Sequence, residues 1–495
     1  VILSVALGLS ALAMGAMVVP TATAALPGLS TGFANSPLLT FNSDPSRAFW
    51  LGKAAGEGST FVRIPFEWQQ VAPSTRPTGF VASDPGSAGY NWGSLDSAVE
   101  DIAGHGLRPI LLPYLAPIWA QDGTPPAGVR PGSWKPDPTQ FGDFGKALAT
   151  RYSGHYPDPA HPGHFLPHVG YYQAWNEPNL SYDISPAWKA TTAHPAVCQK
   201  GKRTCAGWAP ESPNIYRPML NAFYAAVKGV NPSDVVLAGG TAPYGDPGPI
   251  GSDPKLWRVA PLAFDRGLFC LNKKLKKVCS HAAHLNVVDD HPYVLGGGPN
   301  QKPYYSDDVD IADMYKLGQV ITAARRAGTV LPAGKKQLWA GEISWATNPP
   351  VPNHIAVSPA KQAQYGEEAF YLLWRQHVST VLWLDIRDMT VQKRYNPFDY
   401  GGLFFASGTP KPLATSFWFP FVTRRLDSKH IQAWGRSPAA GKLKIERKVG
   451  GKWKVLTSFS VVRHQVFLNT LRASGPGQFR AQVGTDTSLA WSQSG

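Results

Sequence analysis

The stretch VGYYQAWNEPN, residues 169–179, decides how this chain is read. Its apolar run has the length of a buried strand and is closed by a turn-forming proline, Pro178. Trp175, Asn176 and Glu177 therefore stand at the tip of that strand. An ionisable carboxyl at such a place is costly unless something there uses it.

Working outward, the same pattern recurs. TFVRIPF (60–66), LRPILLPY (107–114), DVVLAGGTA (234–242), LNVVDDHPY (285–293), KQLWAGEIS (336–344) and STVLWLDIRD (379–388) are all short apolar runs, and a first strand is expected near Gly32 to Pro37. Stretches with helical spacing lie between them, such as WGSLDSAVEDIAGHG (92–106) and NIYRPMLNAFYAAVKGV (214–230). Strands apolar on both faces that alternate with helices call for parallel pairing. Eight such units predict an α/β fold, a (β/α)8 TIM barrel, over residues 25–425. A doubly wound open sheet is the alternative, but no strand is followed by the glycine-rich dinucleotide fingerprint.

After residue 425 the pattern changes. KLKIERKVGGKWKVLTSFSV (442–461) alternates, turns at Gly450-Gly451 and alternates again, which reads as a hairpin. Residues 426–495 are expected to form a small antiparallel β domain of sandwich type. Trp434 and Trp453 in it read as structural aromatics rather than a sugar-binding face.

Composition narrows the function. With 43% hydrophobic and 16% charged residues over 495 positions, the chain can bury a large core. The opening apolar run ends in Ala22-Thr23-Ala24, so residues 1–24 read as a secretory signal, with no membrane span expected after its removal. Cys198 and Cys205 bracket one basic loop and Cys270 and Cys279 another, as local disulfides of an oxidising compartment would. Neither pair has zinc-site spacing, and no metal or cofactor is expected. The net charge of +14 raises nucleic acid as a partner, yet no nucleic-acid-binding motif is present. Ten Lys/Arg against two acids between Arg424 and Lys454 would instead suit an anionic cell-wall polymer, or simply a solvated face.

In a barrel of this kind the site forms at the C-terminal strand ends. Those ends carry Arg63 on strand two, Asn176 and Glu177 on four, His291 and Tyr293 on six, Glu342 on seven, and Trp383 and Asp385 on eight. Two glutamates 165 positions apart would meet at one mouth. A pair of carboxyls flanking a bond is what glycoside hydrolysis requires, and a carbohydrate is the expected substrate.

WNEPN (175–179), followed by WAGEISW (339–345), resembles the clan A retaining glycoside hydrolases, which include the cellulase-like family 5 and the xylosidase/iduronidase-like family 39. The resemblance spans roughly residues 30–420. It implies Glu177 as acid/base and Glu342 as nucleophile, Asn176 as holder of the sugar 2-hydroxyl, His291 and Tyr293 as the strand-six pair, and Trp383 as the aromatic platform under the reacting sugar. Arg63 should then lower the Glu342 pKa and Tyr293 should donate to it. Burial and the Glu342 charge should raise Glu177. A retaining pair predicts a carboxyl separation of about 5–5.5 Å.

Overall fold

The computed structural model describes residues 26–41, 44–201, 205–294, 297–349, 355–390 and 396–494. The expected signal segment, residues 1–24, lies outside them. Eight strands close into a parallel barrel: β1 (Ser30–Phe33), β2 (Phe61–Glu67), β3 (Arg108–Tyr114), β4 (Tyr171–Ala174), β5 (Val235–Ala238), β6 (Val287–Asp290), β7 (Gln337–Ile343) and β8 (Val378–Trp383). Each pairs with its neighbours in sequence, and β8 closes on β1 from Ser30↔Thr380 to Phe33↔Trp383. Seven of the runs read from the sequence are these strands; the first strand, expected near Gly32 to Pro37, lies slightly earlier at Ser30–Phe33, and Pro37 instead opens a short helical turn.

A helix follows each strand: α1 (Asp44–Gly56), α2 (Gly93–Gly104), α3 (Pro138–Arg151), α4 (Ser212–Val230), α5 (Pro261–Leu268), α6 (Met314–Ala327), α7 (Pro359–Arg375) and α8 (Pro412–Trp418). Local chemistry sets their starts. Asp137 accepts from the Gln140 amide to cap α3, and Ser358 from the Lys361 amide to cap α7, each followed by proline at the first helical position. In α4, Tyr216, Met219, Leu220, Phe223 and Val227 are buried at three- and four-residue spacing, which turns one stripe of the helix inward.

Side chains alternate along each strand, so the barrel interior is built in layers. Phe61, Ile110, Leu237, Val287, Trp339 and Leu382 form an apolar cluster, with the Phe61, Tyr171 and Trp339 rings in contact. Two residues further along, Arg63, Gln173 and Asp289 form a buried polar layer. The apolar layer seals the base of the barrel, and the polar layer carries the site.

The chain enters its antiparallel tail at Phe421, five residues before the expected boundary. β9 (Phe421–Arg425) already pairs with β10 (His430–Arg436), which pairs in turn with β13 (Val466–Arg472). β11 (Gly441–Val449), β12 (Lys452–Val461) and β14 (Gly477–Val483) form the second sheet. Apolar side chains from both sheets, among them Phe421, Ile431, Ile445, Phe467 and Phe479, share one core. The β11–β12 hairpin turns at Gly450 (φ 56°) and Gly451 (φ 77°), the two left-handed residues of a type I′ turn.

The tail docks on the barrel through β10. Trp434 is fully buried, with its ring 5.6 Å from Tyr371 and 5.9 Å from Trp374 on α7, while Arg436 donates to the Gly58 carbonyl at 3.1 Å. Arg436 is thus buried and leaves the basic face to Lys442, Lys444, Lys448, Lys452 and Lys454, all exposed on the hairpin. Trp434→Ala should destabilise the fold by about 3–5 kcal/mol, seen as a lower urea midpoint. Trp453→Ala, which removes a ring stacked on Arg480 at 4.3 Å, should cost no more than about 1 kcal/mol in the same measurement.

Candidate active site

The ends of β2, β4, β6, β7 and β8 converge on a cleft of about 440 Å³. Glu177, Glu342, Asn176 and Tyr293 line it, together with Tyr114 and Asp385. Two local irregularities aim the glutamates. After β4 the backbone turns through left-handed conformations at Trp175 (φ 76°) and Glu177 (φ 30°), which cost non-glycine residues about 1–3 kcal/mol each. Burial of the Trp175 ring, whose Nε1 donates to the Asp183 carbonyl at 2.9 Å, holds that turn in place. On β7 the register with β8 slips between Ala340 and Ile343, so the Gly341–Glu342 step bulges and turns Glu342 toward the mouth.

Glycine matters at that step for steric reasons. A Cβ on Gly341 would lie 2.1 Å from Asp289 Oδ2, and one on Gly240 would lie 2.2 Å from His291 Nε2. The two bare positions leave room for the polar layer beneath the site.

Glu342 is fixed from two sides. The Arg63 guanidinium donates to its Oε1, and the Tyr293 hydroxyl donates to Oε2 at 2.7 Å. Burial alone would raise the Glu342 pKa. The charges of His291 and Arg63 and the hydrogen bonds from Tyr293 and Arg63 outweigh burial and hold it below the ordinary glutamate value. Arg63 is itself buried, and its Nε donates to the Ala34 carbonyl at 3.1 Å.

His291 Nδ1 lies 2.9 Å from Glu177 Oε1 and 3.7 Å from Glu342 Oε2. Burial lowers its pKa, but the Glu342 charge and the bond to Glu177 win and push it up to about 9. Arg63 Nη1, which can only donate, sits 3.2 Å from Nε2 and opposes protonation there. When the ring is neutral its hydrogen is therefore on Nδ1, so His291 donates to Glu177 in either state. Beneath them Gln173 donates to Asp289 Oδ2 at 2.7 Å, while Asp289, raised by burial to about 6, lies 3.7 Å from His291 Nε2.

One oxygen of Glu177, one of Glu342 and one His291 nitrogen lie within 4.8 Å of one another. That trio has the donor types of a metal site. The Arg63 guanidinium already occupies the charge of Glu342, however, so a divalent ion would have to share it with a fixed cation, and the donor set fits poorly.

The structure brings Arg63, Asn176, Glu177, His291, Tyr293 and Glu342 together. Trp383 is the exception and corrects the expected platform. Its side chain is 0% exposed, lies beside Gly366 of α7 and next to the Trp345 and Phe370 rings, and donates to the Gly401 carbonyl at 2.7 Å. It points to the helix side of β8; Leu384 and Asp385, just beyond it, face the cleft instead. Trp68 and Trp345 are likewise core residues. Asn176 lines the cleft, but its amide also donates to Asp183 Oδ2 at 3.2 Å, and Asp183 is paired with Arg130 at 2.9 Å. Asp183, Tyr114 and Tyr244 gave no signal in the sequence, because each reaches the site from a loop or from a strand end that is apolar in pattern.

No protein-family model and no curated protein matches this sequence. Solved structures do. A family 39 glycoside hydrolase from the gut symbiont Bacteroides cellulosilyticus WH2 matches with a TM-score of 0.51 at 17% identity, over 90% of this chain and 81% of that one. The fold shared with that structure is a (β/α)8 TIM barrel, followed here by antiparallel sheets. A glucosidase from Croceicoccus marinus (TM-score 0.46, 13% identity, 91% and 94% coverage) and a GH30 endoxylanase from Clostridium papyrosolvens C71 (0.44, 10%, 91% and 94%) also match. Family 39 is among the families that the WNEPN and WAGEISW motifs resemble.

A depressed Glu342 adds stability above the ordinary glutamate pKa, and that contribution is lost as pH falls through its folded value. Arg63→Met should raise the pKa of Glu342. Carbodiimide labels protonated carboxyls, so labelling of Glu342, followed by mass spectrometry, should persist to higher pH in the variant. An unchanged labelling profile would show that Arg63 does not set the charge of Glu342.

Proposed function

We propose that this protein is a secreted retaining glycosidase that cleaves a β-linked polysaccharide or oligosaccharide by double displacement. The observation that carries the reading is the pair Glu177 and Glu342, from β4 and β7, with carboxyl oxygens within 4.8 Å across one cleft. That spacing suits the short separation of a retaining pair and leaves little room for the extra water of an inverting one.

Each residue then has a task its surroundings support. Glu342, kept ionised by Arg63 and Tyr293, attacks the anomeric carbon as Glu177 protonates the departing glycosidic oxygen. The C–O bond to the leaving group breaks, and a glycosyl ester forms on Glu342. Glu177 then removes a proton from water, whose oxygen displaces Glu342 and restores both carboxyls. His291, bonded to Glu177 Oε1, holds that carboxyl with its other oxygen free for the proton transfer. Asn176 is assigned to the 2-hydroxyl, where a hydrogen bond gains strength as positive charge develops on the ring. Asp385 also faces the cleft, and burial and the Asp399 charge raise its pKa well above the usual range.

Two disulfides, Cys198–Cys205 and Cys270–Cys279, favour an oxidising compartment. Among the described residues no helix is long and apolar enough to cross a membrane. The exposed hairpin lysines supply a face for an anionic cell-wall polymer. A transglycosylase would use the same two glutamates with a sugar as acceptor in place of water.

Wild type should release reducing sugar from a member of a plant and microbial glycan panel, and Glu342→Ala should release none. With azide, Glu342→Ala should form an α-glycosyl azide from an activated β-glycoside. Glu177→Ala should lose about 10²–10⁴-fold on substrates with poor leaving groups, keep its first step on activated ones, and give a β-glycosyl azide. The opposite azide products would exchange the two roles. Binding without turnover by wild type would make the protein a carbohydrate-binding barrel instead.

A further inference from the structure

A second hollow, of about 550 Å³, lies beside the catalytic cleft. The two share a wall of adjacent residues: Tyr244 lines the cleft, and Gly245 and Asp246 line the hollow. Arg258, itself partly exposed, braces that wall. Its guanidinium stacks on Tyr244 at 4.8 Å and bonds Asp246 through Nε at 3.0 Å and Nη2 at 3.3 Å.

The hollow combines aromatic rings with fixed carboxylates. Trp208 is half-buried, with its ring set edge-on to Trp257 at 5.5 Å, and Tyr304 is 80% exposed, with its ring against Tyr305 at 4.7 Å. Asp307 is held by Arg266 through bonds of 3.1 and 2.6 Å. Because Asp246 and Asp307 are each matched by an arginine, they can accept hydroxyl hydrogen bonds without calling for a cationic ligand. Rings that cover C–H surface, with orienting polar groups beside them, are the composition of a ligand site for a molecule that is apolar on its faces and hydroxylated at its edges.

The platform is also preformed. Trp188–Ala190 and Trp208–Pro210 make a two-stranded ribbon within the long 181–213 insertion. The Cys198–Cys205 disulfide lies in the loop that connects the two strands of this ribbon and packs against Gly248, where a Cβ would lie 2.4 Å from Cys198 Sγ. Cys198 and Cys205 are thereby held against the loop after β5, which limits the ordering entropy lost there on binding.

We propose that this hollow is a second glycan-binding site, which takes a neutral β-linked segment of the same polymer chain whose scissile bond lies in the cleft. The proposal rests on the glycosidase reading above and adds that the substrate is long and engaged at two places. Tethering a chain at a neighbouring site raises its effective concentration at the first, so the benefit falls on polymers and not on single-sugar substrates.

The test compares wild type with Trp208→Ala/Tyr304→Ala on barley β-glucan, xylan and galactomannan and on aryl β-glycosides. In the double variant, kcat/KM for the polymer that wild type degrades should fall about tenfold, through KM, while aryl glycoside turnover stays unchanged. In a Glu342→Gln background the same pair of changes should abolish retardation in gels cast with that polymer, and Trp208→Phe should retain it. Unchanged polymer KM and unchanged retardation would overturn the second site while leaving the glycosidase reading intact. No turnover of any glycoside by wild type would overturn both. Equal losses on polymer and aryl glycoside would assign Trp208 and Tyr304 a structural role and overturn the proposal.

Discussion

A guanidinium inside the barrel bonded to a carboxylate at its rim is the contact on which the site depends. Arg63 sits just above the apolar plug, with almost no exposure to water, and its charge is satisfied by the Ala34 carbonyl and Glu342. Removing one partner of such a buried pair leaves an uncompensated charge, so the pair constrains its whole neighbourhood. With His291 it keeps Glu342 ionised, and it fixes the hydrogen of a neutral His291 on the side facing Glu177. Arg63 and His291 together thus set the state of Glu342, which lines the cleft.

That arrangement needs space, and the backbone provides it. Gly240 and Gly341 are bare where side chains would strike His291 and Asp289, and the β7 bulge turns Glu342 outward at the same level. On the opposite wall the left-handed turn from Trp175 to Glu177 is held by a buried indole. Strain of this kind persists only where the surrounding packing over-determines it. The rigid barrel below and the packed Trp175 supply that packing, so the two carboxyls meet without relying on a mobile loop.

Much of this was legible from the chain. Continuous apolar runs alternating with helical stripes read as a parallel barrel, and seven of the eight runs are barrel strands as read, with the first displaced to Ser30–Phe33. Arg63, Glu177, His291, Tyr293 and Glu342 stand out because a polar or ionisable group that closes an apolar strand is costly to desolvate unless partners at the strand ends receive it. Trp383 shows the limit. In a strand buried on both faces, apolar side chains point alternately into the barrel and toward the helices, so hydrophobicity does not reveal the phase. Trp383 falls on the helix side, and Asp385 rather than Trp383 reaches the cleft.

The sequence by itself determined the strand order, the two glutamates at strand ends and the hairpin at Gly450-Gly451, since each follows from local periodicity and turn chemistry. Only the tertiary structure decided that Arg63 meets Glu342, that Asp183 reaches Asn176, that Tyr244 joins the cleft, and that the 181–213 insertion walls a second hollow. Apart from the seven-residue step from Asn176 to Asp183, these are contacts between segments far apart along the chain. They depend on the closure of the barrel and the course of its loops, which no local pattern encodes.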